Sequence, residues 1–115
     1  MTDAKQSAGP AVAVQGCPER RALDLVAERW TGLVVLHLSD GPVRYNELRR
    51  RIPDVSQRML TRTLRRMEAE GMVTRTAEPT IPPKVTYELT ALGRSFRPLL
   101  DAIAAWGRKA FGPMN

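Results

Sequence analysis

The chain has 115 residues, 43% of them apolar and 26% charged, which fits one domain that buries its own core and argues against a second independent one. A net charge of +6 and a pI near 10.4 point to a polyanion or an acidic surface as partner. The single cysteine, Cys17, excludes an internal disulfide framework and argues against a Cys-rich zinc site; the longest aliphatic block, Leu33 to Leu36, is far too short to span a bilayer. A cytoplasmic protein with neither export signal nor membrane anchor is expected.

Residues 1–16, "MTDAKQSAGPAVAVQG", lack periodicity and read as a flexible arm. A single domain is expected over 17–111, with 112–115 as a flexible tail. Pro18 suits the first position of a helix over about 18–28, where Ala22, Leu23, Val26 and Ala27 recur at helical spacing. A second helix, about 31–39, is apolar on most sides and should be central; "DGP" at Asp40 to Pro42 stops it. Val43 to Tyr45 suit a short extended segment, and Asn46 is the expected N-cap of a short third helix that turns Leu48 and Ile52 inward. Ser56 should cap the next helix and Gly71 should end it as a C′ residue. "MVTRT" and "KVTYEL" alternate around "AEPTIPP" and predict a hairpin with a proline-stiffened tip. Thr90 caps a last helix with one long apolar stripe, which Pro98 should kink rather than end. The expected fold is mainly α with a small β-hairpin, a winged helix-turn-helix with two end helices left over.

Positive charge is concentrated. Between Arg44 and Arg66 stand eight Arg against two acids, Glu47 and Asp54, so this segment holds an excess equal to that of the whole chain. In the helix opened by Ser56, Met59, Leu60, Thr63, Leu64 and Met67 fall on one side of a 100° wheel and Arg58, Thr61, Arg62 and Arg65 on the other. A helix entering the major groove needs that division, one face docked on a core and the other offering donors to bases and phosphates. Gln57, Arg58, Thr61 and Arg62, near the N-terminus, are the expected base readers. Arg44, Arg49, Arg50, Ser56, Arg65 and Arg66 are expected on the DNA backbone, and Lys84 beside "IPP" lets the hairpin touch the minor groove or flanking phosphates.

Three segments, "CPERRALDLVAERWTGLVVLHLSDGPVRYNELRRRIPDVSQRMLTRTLRRMEAEGMVTR", "PTIPPKVTYELTALGRSF" and "LLDAIAAWG", resemble the HxlR-type winged helix-turn-helix transcriptional regulators of bacteria. The likeness runs over about 17–107, although "AERW" stands where many relatives carry two glycines before Lys-Trp. It implies a homodimer, built largely by the first and last helices, that binds inverted-repeat operators near its own or a neighbouring gene, more often as a repressor. The last helix independently carries more apolar surface than one winged domain can cover. Leu23, Leu99, Leu100, Ile103, Trp106 and Phe111 are the expected dimer contacts.

In regulators of this type a cysteine just before the first helix can sense oxidants or electrophiles, by an intersubunit disulfide or an adduct. Cys17 occupies that place. A helix N-terminus near Arg20 and Arg21 favours the thiolate, whereas a buried cysteine serves merely as a small hydrophobe, and both readings stay open. His37, Trp30, Met59, Met67 and Met72 read as core residues. A pocket for an unidentified small molecule between dimer helices and winged body also stays open. No cofactor is implied, and no catalytic set is evident: no nucleophile with a base, no paired carboxylates, no metal cluster, no phosphate-binding glycine loop. The rival reading is a winged helix that docks proteins without operator-specific DNA binding. RNA binding lacks an exposed aromatic set, since Tyr45 and Tyr87 are isolated in sequence.

Overall fold

A computed structural model describes residues 17–112. The arm expected over 1–16 and the last three tail residues lie outside them. Helix α1 runs Pro18–Ala27 and α2 Arg29–Leu38. Between them Glu28 leaves the helix for extended backbone (φ −71°, ψ 121°), so α1 stops one residue early and α2 starts two residues early. The cause is a cap. One oxygen of the Glu28 carboxylate, Oε1, accepts hydrogen bonds from the amides of Trp30 (3.0 Å) and Thr31 (2.7 Å) and from the Thr31 hydroxyl (2.6 Å). That satisfies two orphan donors at the head of α2 together with the fully buried Thr31 side chain. The joint between the two helices is thus made without a left-handed residue.

Strand β1 (Val43–Arg44) hands directly to α3 (Tyr45–Arg51). The N-cap is therefore Arg44, without a side-chain cap bond, rather than Asn46. Pairing of Arg44 with Thr86 fixes where extended chain ends, and Tyr45 is drawn into the first turn. Helix α4 spans Gln57–Ala69, with the Ser56 hydroxyl accepting from the Met59 amide at 3.0 Å, as its sequence predicts. At its other end Gly71 sits at φ 81°. Met72 N–H reaches the Met67 carbonyl at 2.8 Å and Gly71 N–H the Glu68 carbonyl at 3.0 Å, the paired bonds of a Schellman stop.

Strands β2 (Val73–Glu78) and β3 (Lys84–Leu89) form the wing, and β1 joins them in a three-stranded antiparallel sheet of order β1-β3-β2. The expected last helix is two helices, α5 (Ala91–Ser95) and α6 (Arg97–Phe111), parted at buried Phe96. Pro98 has no N–H to bond the carbonyl of Arg94, so it opens the second helix instead of kinking a continuous one. Thr90 caps α5 by accepting from Gly93 N–H at 3.1 Å.

The core lies where α2, α3, α4 and the sheet converge. Val34, Val35 and Leu38 meet Leu48, Ile52, Leu60, Leu64 and Met67, and Met72, Val73, Tyr87, Leu89 and Phe96 close it. No described helix is long and apolar enough to cross a membrane. Gly93 marks the tightest joint, because a Cβ there would collide with the Met72 carbonyl oxygen and crowd Leu89. That carbonyl also accepts from the Thr90 amide at 2.9 Å, so it cannot easily retreat. Gly93→Ala is expected to cost about 3 kcal/mol, the upper range for overpacking, measured as a lowered denaturation midpoint without a change in slope.

Candidate nucleic-acid interface

Burial fixes the rotation of α4. Leu60, Thr63, Leu64 and Met67 are buried and Met59 is half-buried, which turns Gln57, Arg58, Arg62, Arg65 and Arg66 outward and leaves Thr61 at the margin. Gln57, Arg58, Thr61, Arg62 and Arg65 line one shallow groove together. Val55, buried beneath the α3–α4 turn, and the Ser56 cap hold the first turn of α4 at the surface.

A wider cleft runs between α4 and the wing. Gln57, Thr61, Arg65 and Glu68 form one wall, β1 and α3 contribute Arg44, Tyr45, Glu47, Arg50 and Arg51, and the wing supplies Arg75, Lys84 and its tip. At about 1340 Å³ it exceeds the roughly 300–1,000 Å³ of small-molecule pockets, and its charged lining suits an extended polyanion better than an apolar ligand.

Two groups in this cleft are not evident from sequence. The Tyr45 hydroxyl lies 2.9 Å from the Thr61 hydroxyl and donates to the Gln57 carbonyl at 3.4 Å, tying the first residue of α3 to the solvent side of α4. Thr61 is thus a base-reading candidate whose hydroxyl already has an internal partner. Tyr87 packs at 6.5 Å from the Tyr45 ring. Burial raises its phenol above the ordinary range, opposed by the neighbouring Arg75. Arg75 and Tyr87 are direct cross-strand partners, so their side chains share a sheet face. The available signal was strand alternation, which puts Arg75 on the same side as Val73.

Acids temper the arginines unevenly. Glu47 takes Arg50 at 2.6 Å and Arg51 at 3.2 Å, and Arg51 also donates to the His37 carbonyl at 3.2 Å. Arg44 faces Glu78 at 3.7 Å. Among the described residues Arg58, Arg62, Arg65 and Arg66 meet no acid within 4 Å. Arg49 and Arg66 are exposed but line neither groove. Hydrogen bonds from Arg50 and then Arg51 hold the Glu47 carboxyl below its usual range. It therefore stays ionised, and keeps neutralising these arginines, to a lower pH than a free carboxylate would.

The remaining candidates lie away from the cleft. Cys17 is half-buried at the N-cap of α1, and its thiol donates to Glu19 Oε1 at 3.2 Å. Arg21, expected beside the sulfur, instead bonds Glu70 at the end of α4, 2.6 Å away. Neither α1 nor α6 has a fully buried residue. Leu23, Leu99, Ile103, Trp106 and Phe111 are exposed, the last two stacked edge to face at 5.6 Å, whereas Leu100 packs against the core near Gly32.

Residues 25–114 match the family model of the HxlR-like helix-turn-helix. An HTH-type transcriptional regulator of Methanothermobacter thermautotrophicus is 45% identical over 80% of this chain and 70% of its own. Among solved structures, the reduced form of the transcriptional regulator YodB from B. subtilis aligns with a TM-score of 0.75 at 35% identity, over 86% of this chain and 98% of its own. The redox regulator HypR in its oxidised form gives 0.71 at 42% identity, over 81% and 96%.

Replacing Glu47 by Gln releases Arg50 and Arg51 toward phosphate. Duplex affinity should rise for all sequences alike, and the salt dependence should steepen by about one phosphate contact. Fluorescence anisotropy over a salt series checks this, and an unchanged slope would place both arginines off the DNA path.

Proposed function

The chain belongs to the HxlR-like helix-turn-helix family and is a DNA-binding transcriptional regulator, and we propose that it works as a two-fold homodimer repressing from an inverted-repeat operator. The observation that carries this reading is the division of α4: one face sealed into the core, the other presenting Gln57, Arg58, Thr61, Arg62 and Arg65 as a continuous surface. Arg58 and Arg62 carry the geometry for paired bonds to guanine O6 and N7, and Gln57 that for adenine. Arg65, Arg75 and Lys84, with the Ser56 hydroxyl and the outlying Arg49 and Arg66, serve the phosphates, joined by Arg44 and Arg50 when their acids let go.

The unburied helices α1 and α6 support the dimer, since Leu23, Leu99, Ile103, Trp106 and Phe111 leave an apolar surface that a second copy would cover. Two recognition helices would then lie about 34 Å apart, one DNA turn, or a multiple of it. The role is binding rather than catalytic, in the cytoplasm.

Cys17 gives this regulator its input. In the proposed reaction two Cys17 thiols, one per protomer, lose two electrons and two protons to an oxidant such as a peroxide and form one disulfide. A redox-regulator relative at 42% identity supports the assignment. The half-exposed position of the sulfur at a helix end supports it further.

The deciding measurement is anisotropy of the reduced protein with the duplex upstream of its own gene and with a scrambled duplex. Preference for the first with a steep negative salt slope is the expected result, and equal weak binding to both would sink operator recognition. Arg62→Ala should cost about 1–3 kcal/mol on the preferred duplex and relax choice at one base pair, while Arg49→Ala weakens both duplexes alike and lowers the salt slope by about one. Mild oxidant should produce a dimer band on a non-reducing gel that Cys17→Ser lacks, together with a change in operator affinity. Unchanged mobility and unchanged affinity would remove the disulfide.

A further inference from the structure

The wing tip has the chemistry of a wedge rather than of a phosphate clasp. Ile81 is fully exposed, the extreme among the large apolar side chains of the described residues, and it stands at a cleft whose lining includes Arg44, Arg50, Arg51, Arg65, Arg75 and Lys84 against the two acids Glu47 and Glu68. Its surroundings are poor in donors. Pro82 and Pro83 have no N–H, the Thr80 amide is spent on the Glu78 carbonyl at 2.8 Å, and the Thr80 hydroxyl donates to the Pro82 carbonyl at 2.8 Å. The last two bonds brace the tip from within, and Lys84 closes its base.

An exposed isoleucine on a braced turn gains nothing from phosphate, yet the cleft around it selects a polyanion. We propose that Ile81, backed by Pro82 and Pro83, inserts between base pairs in the minor groove flanking each major-groove half-site. There it partly unstacks one step and makes a flexible pyrimidine–purine step a determinant of specificity. The inference rests on the reading of α4 as the major-groove helix. Both walls belong to one cleft, so with α4 seated in the major groove the opposite wall crosses the backbone toward the neighbouring minor groove. Apolar wedges of this kind kink duplexes, and the step that unstacks most cheaply is favoured at a position read by no hydrogen bond.

The test uses the full chain and duplexes it selects from a random-sequence pool. Each duplex is then made with either a TA step or a stiff A-tract at the flank. Wild type should prefer the TA form by about tenfold, and Ile81→Ser by no more than about twofold, at an unchanged salt slope. Ile81→Leu should restore the preference. A serine variant that keeps the full preference overturns the wedge while leaving major-groove reading intact, as does a wild type indifferent to the flank. Selection of no sequence by wild type overturns both. Sedimentation of free wild type and Ile81→Ser should agree; a loss of dimer mass in the variant would assign the tip to a second copy and overturn the proposal.

Discussion

The docking of Leu60, Leu64 and Met67 against Val34, Val35 and Leu38 sets the geometry on which every polar feature of this chain depends. These side chains lock α4 about its own axis. A rotation by a single residue, 100°, would drive Arg62 toward hydrocarbon and expose leucine, at a cost far beyond what any surface contact returns. The outward side is thus specified by what the opposite side buries, and among the described residues no side-chain hydrogen bond is needed to aim its arginines. Ser56 and Gly71 add the limits along the axis, one starting the helix and the other stopping it.

Charge on the same surface is graded. Glu47 and Glu78 stand beside the arginines of β1 and α3 but not beside those on the outward face of α4. Pairs this exposed add little stability. Their effect is to temper the positive charge of β1 and α3 while leaving Arg58 and Arg62, the proposed base readers, without an acid beside them among the described residues. A protein whose whole excess charge lies between Arg44 and Arg66 gains discrimination from such partial neutralisation, because contacts to phosphate bring affinity without sequence.

Local signals made much of this legible. The two faces of α4, the Ser56 and Thr90 caps, the Gly71 stop and the alternating wing strands all follow from residues within a few positions of one another. What escaped depends on distant neighbours or on competition between adjacent elements. Tyr45 and Thr61 meet across sixteen positions, and Arg75 acquires its role only once strand register sets it opposite Tyr87. Glu28 reads as a residue of the first helix until it is seen capping the second. Asn46 has the better capping side chain, yet strand pairing at Arg44 settles where α3 begins. Pro98 was legible as an interruption, but only the packing of Phe96 shows that the interruption separates two helices.

The Arg21–Glu70 pair joins α1, which begins next to Cys17, to the C-cap of α4, the proposed recognition helix. Being exposed, it is a light tether, but equilibrium linkage has no preferred direction. With α4 on an operator as proposed, whatever a change at α1 does to that hold, occupancy of the operator would do in equal measure to α1. With Cys17 as the proposed sensor, promoter-bound and free copies of one protein would become two populations with different chemical susceptibility, and the number of operators in a cell would become part of the setting of its own alarm.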